Sequence, residues 1–232
     1  DRLYMQLNER NLFGTGKSAL MNFRLQPLSF STGVSAFDNR VGGQAFALSG
    51  NASTFFRRED NMYEGFSVAA GLSKPFYRLS QPYSYGLSLG GSRRILRLTQ
   101  RDQPLFWDDP ETEASDPRPA EWLQNTLSAS LSLSMQRGQS IKTYAGLGLG
   151  ASLVRAEPAQ RTGLKDADPE VRQRFIDAVV PDAQNRVYPS FWSSFFQNQF
   201  HRFRNLKGYA LTEEVSIGWS GGVRLSTPLK AL

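Results

Sequence analysis

Nine residues near the middle of the chain, Leu127 to Met135, read LSASLSLSM. Apolar residues at every second position all fall on one face of an extended strand, whereas a helix would scatter them round its circumference. The same period recurs along the chain. Lys17, Ala19, Met21, Phe23 and Leu25 alternate with Ser18, Leu20, Asn22, Arg24 and Gln26, and Leu28 to Ala36, Phe46 to Ala52, Phe66 to Leu72 and Tyr83 to Leu89 repeat the rule. Ile141 to Leu153 and Tyr209 to Leu225 extend it towards the C-terminal side. About eight strands of an all-β fold are expected.

The residues between the apolar ones decide what kind of sheet this is. A soluble sandwich also alternates, but its outward face carries Lys, Glu and Thr. Here the second face is mostly Ser and Gly, as in Thr126, Ser128, Ser130, Ser132 and Ser134 or Gly146 and Gly148. Small polar residues suit the crowded or water-filled interior of a transmembrane antiparallel β-barrel, whose large apolar residues face lipid. Composition agrees. Mean hydropathy is −0.42 and hydrophobic residues make up 40% of 232, with no apolar run near the roughly 18 residues that a spanning helix needs. A barrel needs no such run, because its strands alternate.

The connections differ in length. Gln26-Pro27, Asp38 to Gly43, Lys74 to Pro82 and Arg137 to Ser140 are short, while Arg97 to Glu121 and Arg155 to Lys207 are long. After the first link, short and long connections fall on opposite ends, as periplasmic turns and extracellular loops do, so the strand following Gly14 is expected to start in the periplasm. Tyr63 with Phe66, Phe76 with Tyr77, Tyr83 with Tyr85, Trp107 with Trp122 and Tyr209 with Trp219 stand where interfacial girdles are expected. Asp168 to Val180 predicts a short helix in the last long loop, with an N-cap, a proline in its first turn and Val171, Phe175, Ala178 and Val179 on one side. Tyr188 to Phe203 is expected as an aromatic loop segment, more commonly a packed loop core, otherwise one that covers the barrel mouth or meets the outer leaflet.

Several constellations bear on chemistry. NLFGTGKSAL, Asn11 to Leu20, approaches a phosphate-binding loop, but the first required glycine falls at Asn11, and the residues after Lys17 and Ser18 alternate like a strand rather than a helix. GLSLG, Gly86 to Gly90, matches the nucleophile elbow, yet Ser88 lies mid-strand and the chain's single histidine, His201, is expected in a loop with no triad arrangement around Ser88. The run Asp108, Asp109, Glu111, Glu113 and Asp116 lacks calcium-loop spacing and reads as a solvated acidic loop. No cysteine is present, so no disulfide or thiolate site exists. No enzyme and no cofactor are expected. The net charge of +6 and pI near 9.7 point to an anionic partner. Arg93, Arg94, Arg97 and Arg101 are expected to meet lipopolysaccharide phosphates where their strand leaves the membrane, Arg being a bidentate phosphate binder; the neighbouring acidic loop is the competing partner. Nucleic acid is not expected without a reading helix or aromatic platform.

ERNLFGTGKSALMNFRLQ, LSFSTGVSAFDNRVGG and GFSVAAGLSKPF together resemble the start of the barrel in the BamA/TamA, or bacterial surface antigen, superfamily of outer-membrane assembly and translocation proteins. Asn11, Gly14 and Gly16 match that family's N-x-x-G-x-G phrase. The resemblance implies a sixteen-stranded barrel of which residues 11–232 are the first half, with residues 1–10 a remnant of the connection to a periplasmic POTRA domain. The family's V-R-G-F motif is absent, and GGVRLS at Gly221 to Ser226 is not it. The resemblance further implies a lateral-gate strand carrying Gly14, Gly16, Lys17, Ala19, Met21, Phe23 and Leu25, which opens sideways to template a client's strand. The implied location is the bacterial outer membrane. The implied partners are outer-membrane lipid and lipopolysaccharide, client outer-membrane or secreted proteins and accessory envelope proteins. A different expectation is a self-contained eight-stranded barrel with a structural, adhesive or lipopolysaccharide-binding role, which requires strand one to pair with strand eight.

Overall fold

The computed structural model describes residues 2–78, 80–111, 116–138, 140–165, 167–197, 199–204, 212–216 and 218–230. Most of them lie in one antiparallel sheet of eleven strands. In chain order these are β1 Leu3–Leu12, β2 Lys17–Leu25, β3 Ser29–Asp38, β4 Ala47–Arg57, β5 Tyr63–Lys74 and β6 Tyr83–Arg97. They continue as β7 Glu121–Arg137, β8 Ile141–Pro158, β9 Arg186–Gln197, β10 Ser220–Ser226 and β11 Leu229–Lys230. Each strand from β1 to β10 pairs with the next in the chain, and β11 lies against β9 beside β10. The result is a meander of hairpins, the topology that short turns between alternating strands favour. Among the described residues, β1 and β10 do not pair with each other. No helix is long and apolar enough to cross a membrane, a fact that says nothing of strands.

Three features differ from expectation. Residues 1–10, expected as a connection, instead supply a strand: Leu3–Leu12 runs in register with β2, Leu3 opposite Leu25 and Leu7 opposite Met21. Its own alternation of Leu3, Met5 and Leu7 with Gln6 and Asn8 makes it a strand, although the charges Glu9 and Arg10 disguise it. Second, the aromatic segment expected as a loop contains β9, which pairs with β8 from Ile141–Gln197 to Ser152–Arg186. Phe191, Trp192, Phe195 and Phe196 load both of its faces, so the period of two disappears. Third, of the last expected strand, Thr212–Ser216 pairs with Phe200–Arg204 in a separate ribbon and only Ser220–Ser226 joins the sheet; Tyr209 lies outside the described residues. The eight-stranded closure, with strand one against strand eight, is not the arrangement seen.

NLFGTG makes the β1–β2 turn. Gly14 and Gly16 adopt φ of +71° and +72°, a conformation in which glycine carries no Cβ penalty. The Asn11 side chain accepts a hydrogen bond from the Gly16 N–H at 2.8 Å, and the Gly14 N–H donates to the Asn11 carbonyl at 3.0 Å. Lys17 then opens β2 and pairs with Asp38 at 3.3 Å. The residues that imitate a phosphate loop therefore close a hairpin.

The connections at one end of the sheet, after β2, β4, β6 and β8, include two of the three long ones; the third, between β9 and β10, carries the Phe200–Arg204 ribbon and leaves from the opposite end. In the connection after β8, α1 Pro169–Val179 starts at Asp168, whose carboxylate accepts from the Glu170 N–H at 3.1 Å, with Pro169 in the first turn. Phe175 and Val179 are buried with Ala120 and Leu164, flanked by Trp107 and Trp122, while Ala178 is exposed. Phe175 is the largest fully buried side chain among the described residues, and Trp107 packs edge-on to it at 5.3 Å. This small cluster of loop residues is the molecule's apolar core. The sheet has none.

Candidate functional site

The register aligns the apolar residues of successive strands into rows across one face. One row runs Leu7, Met21, Val34, Ala52, Val68, Gly91, Leu127 and Leu153; another runs Leu48, Leu72, Leu87, Leu131 and Leu149. A third carries Tyr85, Leu133, Leu147, Phe191 and Leu225. These side chains are open: Met21 is 56% exposed, Leu131 57% and Leu147 62%. An uncovered apolar area spanning ten strands far exceeds the few hundred Å² that a soluble monomer tolerates as one patch.

The opposite face carries Ser49, Ser88, Ser130 and Gly150 in one row and Ser53, Ser67, Ser92 and Thr126 in another. It is closely fitted. A Cβ on Gly146 would lie 2.3 Å from the Trp192 ring, and the Ser88 and Ser130 hydroxyls are 2.7 Å apart. Ser88 is thus bonded within the sheet and stands on no strand-to-helix turn. His201 lies in the ribbon, paired with Val215 in register.

Aromatic rings border the apolar face at both ends. At the long-loop end Phe23, Phe30, Phe56 and Tyr63 form a chain across four strands, with centroids 6.1, 5.1 and 5.9 Å apart. At the short-turn end Phe46 meets Tyr85 at 6.1 Å and Phe195 meets Trp219 at 5.0 Å. Of the other expected girdle residues, Trp107 belongs to the loop core, and Phe76 packs on Tyr144, which shares the small-residue face with Gly146. From Tyr63 to Lys74, the partner of Tyr85, β5 takes eleven steps. At the usual rise this is about 36 Å, or about 28 Å once tilted by ~40°, close to the height of a lipid-facing band with its girdles.

The arginine run does not act as one group. Arg93 lies on the apolar face opposite Phe66. Arg94 turns the other way and stacks over Phe55 at 3.7 Å. Arg97, its side chain 11% exposed, is engaged by the buried Glu64 and Glu121, and Arg101 sits in a turn with φ of +52°. Arg97 belongs to a network that the sequence did not reveal. Glu64, 4% exposed, accepts from Arg57 Nε at 3.1 Å and from Arg97, while Arg57 also reaches Asp60 at 3.0 Å. Arg97 Nε stands 3.3 Å from Glu121 but is misaligned for a hydrogen bond. These contacts tie β4, β5, β6 and β7 together at the long-loop end. The Asp60 carboxyl, in the loop between β4 and β5, is held below the usual carboxylate range by the Met62 N–H first and by Arg57 against some desolvation.

The acidic loop is partnered rather than free. Arg174 of α1 holds Asp109 at 3.0 and 2.8 Å and Glu111 at 2.9 Å, and Asp116 pairs with Arg118 at 2.6 Å; Glu113 lies outside the described residues. The Arg174 guanidinium is thereby held above its ordinary range, chiefly by Asp109. Of the expected gate residues, Lys17, Ala19, Met21, Phe23 and Leu25 lie in β2, which is paired on both sides, and Gly14 and Gly16 lie in the preceding turn. The free edge on that side of the sheet is β1. No family model, curated protein or solved structure matches the chain.

Proposed function

We propose that this sheet is the wall of a bacterial outer-membrane β-barrel that assembles, inserts or translocates client proteins. The observation that carries the reading is the uncovered apolar face, bounded by aromatic rings and backed by a closely fitted face of Ser and Gly. Lipid satisfies the first surface and a polar barrel interior the second. The assembly role rests on the resemblance of the NLFGTG region and on the edges: β1 and β10 leave N–H and C=O groups at which further barrel strands or a client's strand would pair. With the β6–β7 and β8–β9 loops outside the cell, Leu3 stands at the outer side. A periplasmic domain would reach it only through another membrane-crossing strand.

The test has two parts. Diluted from urea into phosphatidylcholine vesicles, the chain is expected to acquire sheet structure and protease resistance that it lacks without lipid; failure to insert would sink the barrel. Vesicles holding the chain are then expected to fold a denatured eight-stranded barrel client faster than empty ones. Equal rates would leave the wall standing and remove the assembly role.

A further inference from the structure

A cavity of about 580 Å³ opens on the apolar face where that face meets the long loops. Phe66 and Leu123 line it from the sheet, and residues 158–165 with the first turn of α1 lean over it. Three cations converge there from separate elements: Arg93 from β6, Lys165 from the loop after β8, and Arg172 from α1. Among the described residues none has an ion-pair partner, whereas Arg57, Arg94, Arg97 and Arg174 at the same end are engaged by carboxylates or a ring. Glu157 is the one described carboxylate on the apolar wall of the same cavity besides the network residue Glu64. Arg155, exposed and one row-mate away across Asn125, extends the positive rim.

We propose that this cavity binds the headgroup of a bis-phosphorylated, acylated glycolipid. This rests on the membrane reading above. With Glu64 already balanced by Arg57 and Arg97, three cations against Glu157 leave a formal +2, matching two phosphates better than the single phosphate of an ordinary phospholipid. Arg93 and Arg172 offer forked donors that fit phosphate oxygens, and Lys165 a point charge on a flexible stem. Directly below the cations, Val68, Leu127 and Leu153 continue the apolar face, so acyl chains attached to the headgroup would run down it. A soluble anion would fill the cationic half of the cavity and leave Phe66 and Leu123 in water. An amphiphile uses both halves.

The test compares hexa-acyl lipid A carrying both phosphates, its dephosphorylated form and phosphatidylglycerol, each retained by the full chain in dodecylmaltoside micelles and counted by native mass spectrometry. The bis-phosphorylated form is expected to be held at least about tenfold better than the dephosphorylated one, given the strength of charge-assisted contacts. Combined R93Q, K165Q and R172Q should erase that preference. E157Q should strengthen retention, and R93K should keep most of it, so a misfolded triple variant does not shelter the proposal. Equal retention of the phosphorylated and dephosphorylated lipids, or of phosphatidylglycerol and lipid A, overturns it while leaving the barrel reading intact if the chain still inserts into phosphatidylcholine vesicles. Failure of the unmodified chain to insert there overturns both.

Discussion

Glu64 compensates two guanidinium groups from different strands, Arg57 and Arg97, in a site that water barely reaches. Neutralising it removes the shared counter-charge and leaves Arg97 dependent on a misaligned Glu121. Glu64→Gln is therefore expected to cost about 3 kcal/mol or more, the range for breaking a buried ion pair, whereas Arg58→Gln on the exposed loop should stay within about 0.5 kcal/mol. Urea midpoints in vesicles measure the difference. Asp60 supplies a pH test. Its carboxyl titrates lower in the folded chain, so its contribution is full above the ordinary carboxylate range and is lost as pH falls through the lowered value. Asp60→Asn should lower the thermal midpoint at pH 7, and the gap from the parent should close in acid; a gap that persists at low pH would contradict the assignment. None of this is legible in the sequence. Four arginines within nine residues announce charge, but alternation and the low exposure of Arg97 send Arg93, Arg94 and Arg97 to different surroundings, and of these only Arg93 stands on the open apolar face.

For the strands, the period of two carries most of the information. It locates β2 to β8, because each carries its large apolar residues chiefly on one face, and the Asp-Pro start of α1 locates the helix just as well. It loses β9, where aromatics occupy both faces, and β1, where polar residues crowd one end. The omission of β1 makes β2 look like an edge in the sequence, whereas in the described sheet β1 lies outside it. The apolar face makes a depth-dependent prediction within β7. Leu131 lies midway along the band and Asn125 at its long-loop border, both on the same face. In lipid, Leu131→Arg is expected to cost about 2–4 kcal/mol and Asn125→Arg about 0–1 kcal/mol. Vesicle unfolding titrations decide it; two near-zero costs would mean that this face meets water.

At the scale of the whole molecule, large apolar side chains must go somewhere when folding gives them no core. The one apolar cluster among the described residues is built by loops around Phe175, while the sheet turns its leucines outward along every strand from β4 to β8. Composition hides this, because alternation averages to a soluble-looking hydropathy. The chain contains no cysteine, so a single nitroxide can be placed in turn at each residue from Leu127 to Met135 in vesicle-inserted protein, and its relaxation by oxygen, which partitions into lipid, compared with that by a water-soluble nickel complex. Oxygen maxima are expected at 127, 129, 131, 133 and 135 with nickel excluded there, and the reverse phase at Ser128, Ser130, Ser132 and Ser134. Leucine positions that admit nickel, or that are shielded from both reagents by protein, would contradict a lipid-facing wall.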